Sequence, residues 1–248
     1  MNRQSLLQQA IGLILVLLVL SAFSVSKSVP MFTWASISSE STNETGTVTD
    51  IDGNVYHTVT IGTQVWMVEN LEVTRFRNGD PIPNVSDNAK WDKLSSGAYC
   101  DYDNKISNVA TYGRLYNWYA VNDPRNSAPI GWHVPSNEEW ETLGTYLGGN
   151  TVAGGKLKET GGSHWISPNR GANNSSGFFG LPGGIRASYK SSIGEFKYIG
   201  EIGAFWSSTE LRESEAWMRF LTNYDGVLTK PELPTYKSFG YSVRCIKD

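Results

Sequence analysis

The sequence predicts a β-rich α+β domain with one or two short helices and long loops. Three observations carry that prediction. Aromatic and β-branched residues come in short runs such as "TVTIGTQVW", "GAFWSSTE" and "EAWMRF", each cut by Gly, Pro or Asn. Glycine occurs 25 times in 248 residues, which suits turns and loops better than helices. Only one stretch, around 136–149, joins a helical period to a start and a stop signal.

The first 26 residues are set apart from that domain. Arg3 carries the sole side-chain charge before Lys27, and residues 10–25, "AIGLILVLLVLSAFSV", form a short apolar core. Ser24 and Ser26 then stand at the −3 and −1 positions of a cleavage site. A basic start, an apolar core and small residues before the cut describe a secretory signal. A full span needs about 20 apolar residues, so 1–26 reads as a signal peptide, with a retained anchor as the alternative. No membrane span is expected after its removal. Since the first cysteine is Cys100, the chain is not an N-terminal lipoprotein. Residues 27–46, rich in Ser and Thr without a sustained period, read as a flexible leader, and 47–248 as a single domain. The predicted address is outside the cell.

The elements of the domain follow in order. "TVTDIDGNVYHTVTIGTQVWMVENL" (47–71) alternates apolar with polar residues and breaks at Asp52-Gly53 and Gly62-Thr63, which predicts a three-stranded meander. Residues 78–98, with Pro81 and Pro83, read as an irregular connection, and "GAYCDYD" around Cys100 as a strand. "GRLYNWYAV" (113–121) fits strand and helix equally. In "GWHVPSNEEW" (131–140), Ser136 and Glu139 match a capping box, with Pro135 and Trp140 as a staple. Trp140, Leu143 and Leu147 make the apolar stripe of a helix that Gly148-Gly149 ends. "GFFGLPGGIRAS", "GAFWSSTE", "EAWMRFLTNYDGVLTK" and "YSVRCIKD" supply the remaining short β signals.

Charge and motifs narrow the function. With 21 Lys+Arg against 24 Asp+Glu, the net charge is −3, and one unit more negative without Arg3. Nothing there attracts nucleic acid or an anionic membrane. The three histidines, His57, His133 and His164, lack any zinc spacing, and no metal or other cofactor is called for. Asp50-Ile51-Asp52-Gly53-Asn54 resembles the start of a calcium loop, but Ile61 stands where the last acidic ligand belongs, and a hairpin turn accounts for those residues. No Gly-x-Ser-x-Gly or phosphate-loop spacing occurs. Glu159, Glu201 and Glu210 are the carboxylates to inspect for a glycosidase pair. Two cysteines in an exported chain predict a Cys100–Cys245 disulfide; two buried free thiols are the alternative. Eight tryptophans between 66 and 217 either fill a glycine-rich core or expose flat faces to a glycan or protein.

The ordered motifs "VTDIDGNVYHTVTIGTQVWMVENL", "YGRLYNWYAV", "GWHVPSNEEW", "GGKLKETG", "PNRGANNSSGFFGLPGGIR", "GAFWSSTE" and "SVRCIKD" resemble the Fibrobacter succinogenes major paralogous domain over roughly residues 46–247. That resemblance implies a bacterial, exported protein of the cell envelope or exterior and brings no defined activity. More distantly, the chain resembles the C-type lectin-like fold shared with sulfatase-modifying enzymes and variable bacterial binding proteins. This implies a twisted antiparallel sheet under long loops, with ligands at the loop face. Ser167-Pro168-Asn169 has serine where the calcium-dependent sugar motif has an acid, and the catalytic cysteine pair has no match. The expectation is therefore a non-catalytic binding or adhesion module for a polysaccharide or cell-surface protein. Its binding face is expected on loop 163–176 and the strands near Trp206 and Trp217, with Asn173, Asn174, Arg186, Trp206, Trp217 and Tyr224 as candidate contacts. A glycan- or protein-modifying enzyme and a structural surface protein are the alternatives.

Overall fold

The computed structural model describes residues 45–189, 192–231 and 235–248. The predicted signal peptide and all but the last two residues of the predicted leader lie outside them. Thr45 and Gly46, the last two residues of the predicted leader, belong to a strand. The described residues all fall in one compact unit.

The predicted meander forms. Strands β1 (Thr45–Thr49), β2 (Val55–Ile61) and β3 (Gln64–Met67) pair antiparallel in sequence order. The first turn is built by its acids: Asp50 Oδ1 accepts from the backbone N–H of Asp52 and Asn54, and Asp50 Oδ2 from Asn54 Nδ2 and Tyr56 OH. Asp52 accepts from Thr74 and Arg75. A hairpin turn of this kind needs no ion to organise it.

Short elements fill the next stretch. Helix α1 (Asn88–Asp92) precedes β4 (Tyr99–Cys100); α2 (Val109–Tyr112), β5 (Leu115–Tyr116), α3 (Trp118–Val121) and β6 (Trp132–His133) follow. The ambiguous segment 113–121 is thus both strand and helix. Asn117 divides them, its side-chain oxygen accepting from Ala120 N as a helix cap and from Ala98 N. The convincing helix is α4 (Asn137–Tyr146), where Ser136 Oγ accepts from Glu139 N at 3.2 Å and Glu139 Oε2 from Ser136 N at 2.7 Å. Trp140, Leu143 and Leu147 are buried with Trp66, Phe178 and Phe205, and burial of side chains this size contributes about 2–3 kcal/mol each.

Helix α5 (Asn150–Leu157) has no capping side chain and two interior glycines, so its sequence conceals it. Packing requires those glycines: a Cβ on Gly154 would lie 2.3 Å from Val227 O, and one on Gly155 2.3 Å from Gly171 O. Strands β7 (Gly183–Tyr189), β8 (Ser192–Ile199), β9 (Ile202–Arg212) and β10 (Glu215–Thr222) form a second sheet in the order β10-β9-β7-β8. The last strand, β11 (Ile246–Lys247), returns to the first sheet between β3 and β6. The fold is α+β and β-rich, and its named strands pair antiparallel except β7 with β9. Among the described residues no helix is long and apolar enough to cross a membrane.

The predicted disulfide is corrected by the structure: Cys100 and Cys245 are both free and buried. Side chains alternate across the β4–β5 ribbon. Tyr99 and Tyr116 point into the main core with Cys245, whereas Cys100 and Leu115 point into a separate cluster with Trp91 and Tyr102. The ribbon therefore carries Cys100 on the face opposite Cys245, and apolar packing holds each thiol. Seven of the eight described tryptophans are buried, Trp217 alone being partly exposed. They fill the core.

Candidate loop-face binding site

At the end of α5 the chain delivers Lys158 into the interior. Its ammonium donates to three backbone carbonyls, Arg170 O at 2.9 Å, Thr222 O at 2.7 Å and Asp225 O at 2.6 Å. All three N–H donors are thereby used, and Trp165 lies 5.3 Å beneath the charge. Burial lowers its pKa to about 8, against the pull of Asp225. One cation thus holds two loops together, 161–180 and 222–230.

Backbone contacts complete the weld. Gly155 N donates to Gly226 O, Asn173 N to Gly155 O, and Arg170 N to Asn223 O. Asn223 Nδ2 reaches Ile166 O at 3.2 Å. On the outside of these loops Tyr224 is 58% exposed and Ile166 52%, with Arg170 and Asn173 also exposed. The face is rigid beneath and mixed in chemistry above: an aromatic ring, an aliphatic side chain, a guanidinium and an amide.

Residues 161–169 line a recess of about 530 Å3 in the same loop. His164 Nδ1 lies 2.9 and 3.0 Å from the two oxygens of buried Glu159, and the ring meets Tyr112 edge-on at 5.8 Å. Glu159 therefore orients a histidine instead of pairing with a second carboxylate. Glu210 meets Lys237 on β9, and Glu201 sits in the turn before that strand. Among the described residues no three His, Cys, Asp or Glu side chains gather where they could hold a metal.

The six candidate contacts divide. Asn173 and Tyr224 lie on the welded loops and are exposed. Asn173 Oδ1 accepts from Ser175 N, and among the described residues its amide nitrogen has no acceptor. Asn174, at φ 45°, accepts from Phe179 N and shapes the loop. Trp217 sits on β10 with Lys230 Nζ 4.2 Å from its ring centre, so one face already carries a cation. Arg186 and Trp206 are fully buried and cannot touch a ligand in this state. Arg186 donates to Gly194 O, Val85 O, Ser86 O and Asn88 Oδ1, and lies between Trp91 and Phe196. Trp206 donates to Tyr116 O and packs on Tyr241. Sequence reasoning missed Lys158 and the Glu159–His164 pair. "KLKETG" gives no sign that its second lysine turns inward, since the three acceptors are main-chain oxygens 12 to 67 residues away.

Further recesses lie elsewhere, among them these two. One of about 270 Å3 on the second sheet is floored by Ile185, Ala204, Met218 and Phe220, with Tyr198 and Tyr236 exposed at its rim. The other, of about 520 Å3, lies beside α3.

Fold and site together define a β-rich α+β domain that presents long, internally pinned loops. The chain belongs to the Fibrobacter succinogenes major domain family, whose model matches residues 59–247. Comparison with the curated proteins and with the solved structures finds no match.

Proposed function

We propose that the chain is an exported, non-catalytic binding or adhesion module of the bacterial envelope or exterior, and that its loop face takes a polysaccharide or a cell-surface protein. The observation that carries this reading is the Lys158 ammonium, whose three carbonyl contacts hold loops 161–180 and 222–230 in one arrangement. A face ordered before its ligand arrives loses less conformational entropy on binding. Tyr224 and Ile166 offer apolar area on that face, and Asn173 and Arg170 offer hydrogen bonds. A glycan array and a pull-down from bacterial surface fractions with the full chain test the proposal. Retention that falls about tenfold in Tyr224→Ala or Asn173→Ala supports it; no retention, or retention that neither change affects, rejects it.

The Glu159–His164 pair supports a second reading, an enzyme acting on glycans or protein side chains. A carboxylate on Nδ1 leaves Nε2 as a base, and the histidine lines the recess at 161–169. Release of reducing sugar or modified peptide that disappears in His164→Gln is the outcome this reading requires.

A further inference from the structure

The recess of about 520 Å3 beside α3 shares no segment with the loop face. Its lining mixes apolar with polar residues. Pro81 and Pro83 form one side, and Pro83 O is tied to Tyr99 N at 3.0 Å. Tyr119 is partly exposed beside them, while Trp118 is buried, its Nε1 fixed on Ser207 O at 2.9 Å and Lys237 Nζ 4.5 Å from its ring centre. Ser95, Ser96 and Gly97 make the floor. Asn117 clips that floor to the helix by donating from Nδ2 to Ser96 O at 2.8 Å and accepting from Ala98 N at 3.0 Å. A Cβ on Gly97 would come within 3.1 Å of Ala120 Cα, so the floor rests directly on α3.

The polar lining is unused by the protein. Among the described residues, the hydroxyls of Ser95, Ser96 and Tyr119 and the amide of Asn122 have no hydrogen-bond partner, and all but the partly exposed Tyr119 are exposed. Asp123 and Arg125 are already bound to each other. Arg125 Nε and Nη2 each donate to Asp123 at 2.8 Å, Nη1 reaches Asp80 at 3.2 Å, and the guanidinium lies 4.0 Å from the Phe76 ring centre. One cation against two carboxylates leaves this end of the recess net negative, which disfavours an anionic ligand.

Proline and tyrosine area beside exposed hydroxyl and amide groups suits a pyranose chain, whose C–H faces stack and whose hydroxyls hydrogen-bond. Pro81, Pro83 and Pro124 offer an extended peptide no backbone N–H to pair with as a strand. We propose that this recess is a second binding site, for a neutral polysaccharide. The site stands apart from the loop face, so each can fail without the other.

Native affinity electrophoresis of the full chain tests it, in gels holding hydroxyethyl cellulose, xylan or galactomannan, with polygalacturonate as the anionic control. The expected result is retardation in at least one neutral gel that persists in ~0.5 M salt, where exposed charges are screened. Tyr119→Ala and Asn122→Ala should each weaken it about tenfold, while Tyr224→Ala and Asn173→Ala leave it unchanged. Asn122 is exposed, so Asn122→Ala decides the matter should Tyr119→Ala not fold. Stronger retardation by polygalacturonate, no retardation in any neutral gel, or full retention by Asn122→Ala would each overturn the proposal. Loss in Tyr224→Ala alone would assign the glycan to the loop face and overturn it as well.

Discussion

His133 is held between two carboxylates: Nε2 lies 2.8 Å from Glu139 Oε1, and Nδ1 lies 2.7 Å from Asp248 Oδ1. The sequence shows no partner at zinc spacing for this histidine, yet it joins the N-terminus of α4 to the end of the last strand. Both ring nitrogens can donate to carboxylates only when the ring is protonated. Burial opposes that charge, but the hydrogen bonds the ring donates to Asp248 and Glu139 outweigh it and raise the pKa above the usual 6.5. A raised folded pKa stabilises the fold fully below the unfolded value, and the contribution is lost as pH rises through the folded value. Melting temperatures from pH 5 to 9 should therefore fall for the parent relative to His133→Gln as the solution passes neutrality. Because the pair is partly exposed, the difference should be under ~1 kcal/mol. Parallel profiles would remove the latch.

Lys158→Met keeps most of the side chain's length and leaves one buried and two part-buried carbonyls without their donor. Unmet buried acceptors cost about 1–3 kcal/mol each, and water entering at the loops recovers part of that. A loss of ~2–4 kcal/mol is expected in urea unfolding, together with faster amide exchange at Gly155, Arg170 and Asn173. Unchanged exchange there would mean that backbone contacts alone hold the loops.

Gly154→Ala sets two principles against each other. Helix propensity favours alanine by about 1 kcal/mol. The new methyl would lie 2.3 Å from Val227 O and 2.8 Å from Gly226 O, both main chain. Overpacking against backbone costs about 1–3 kcal/mol or more, so the variant should be less stable and its 222–230 loop displaced. A gain in stability would show that α5 does not pack there as described.

The thiols give the cheapest check. Burial pushes the Cys100 pKa up to about 12 and the Cys245 pKa higher still, so neither is a ready thiolate at neutral pH. Native, unreduced protein should react with a thiol reagent slowly or not at all, and the unfolded, unreduced chain should release two thiols. Reductant should leave the melting temperature unchanged. Fewer than two thiols after unfolding would contradict the packing of Cys100 and Cys245 on opposite faces of the β4–β5 ribbon.

The contrast between Asp50 and Arg186 shows what could be read beforehand. Asp50 closes a turn whose partners lie two to six residues away, so the turn was visible in "DIDGN". Arg186, a candidate contact in the sequence, is buried although arginine seldom is. Its acceptors at Val85 and Ser86 lie about a hundred residues upstream in an irregular connection with no pattern of its own. Of the candidate contacts, Asn173 and Tyr224 do lie exposed on the loop face, because polar, glycine-rich loops run over surfaces. Trp206 is buried because β9 lies in the middle of the second sheet, and sheet order cannot be read from one strand.

By itself the sequence determined whatever is decided between near neighbours: the β-rich class, the meander at 45–67, the cap of α4 and the absence of any spaced metal or nucleophile motif. Tertiary structure alone decided that Lys158 faces inward, that α5 needs its glycines, that the cysteines stay apart and that His133 has two acidic partners. Each of those rests on backbone atoms or side chains brought together from distant positions. A hydrogen bond to a carbonyl leaves no mark on the residue type that supplies it.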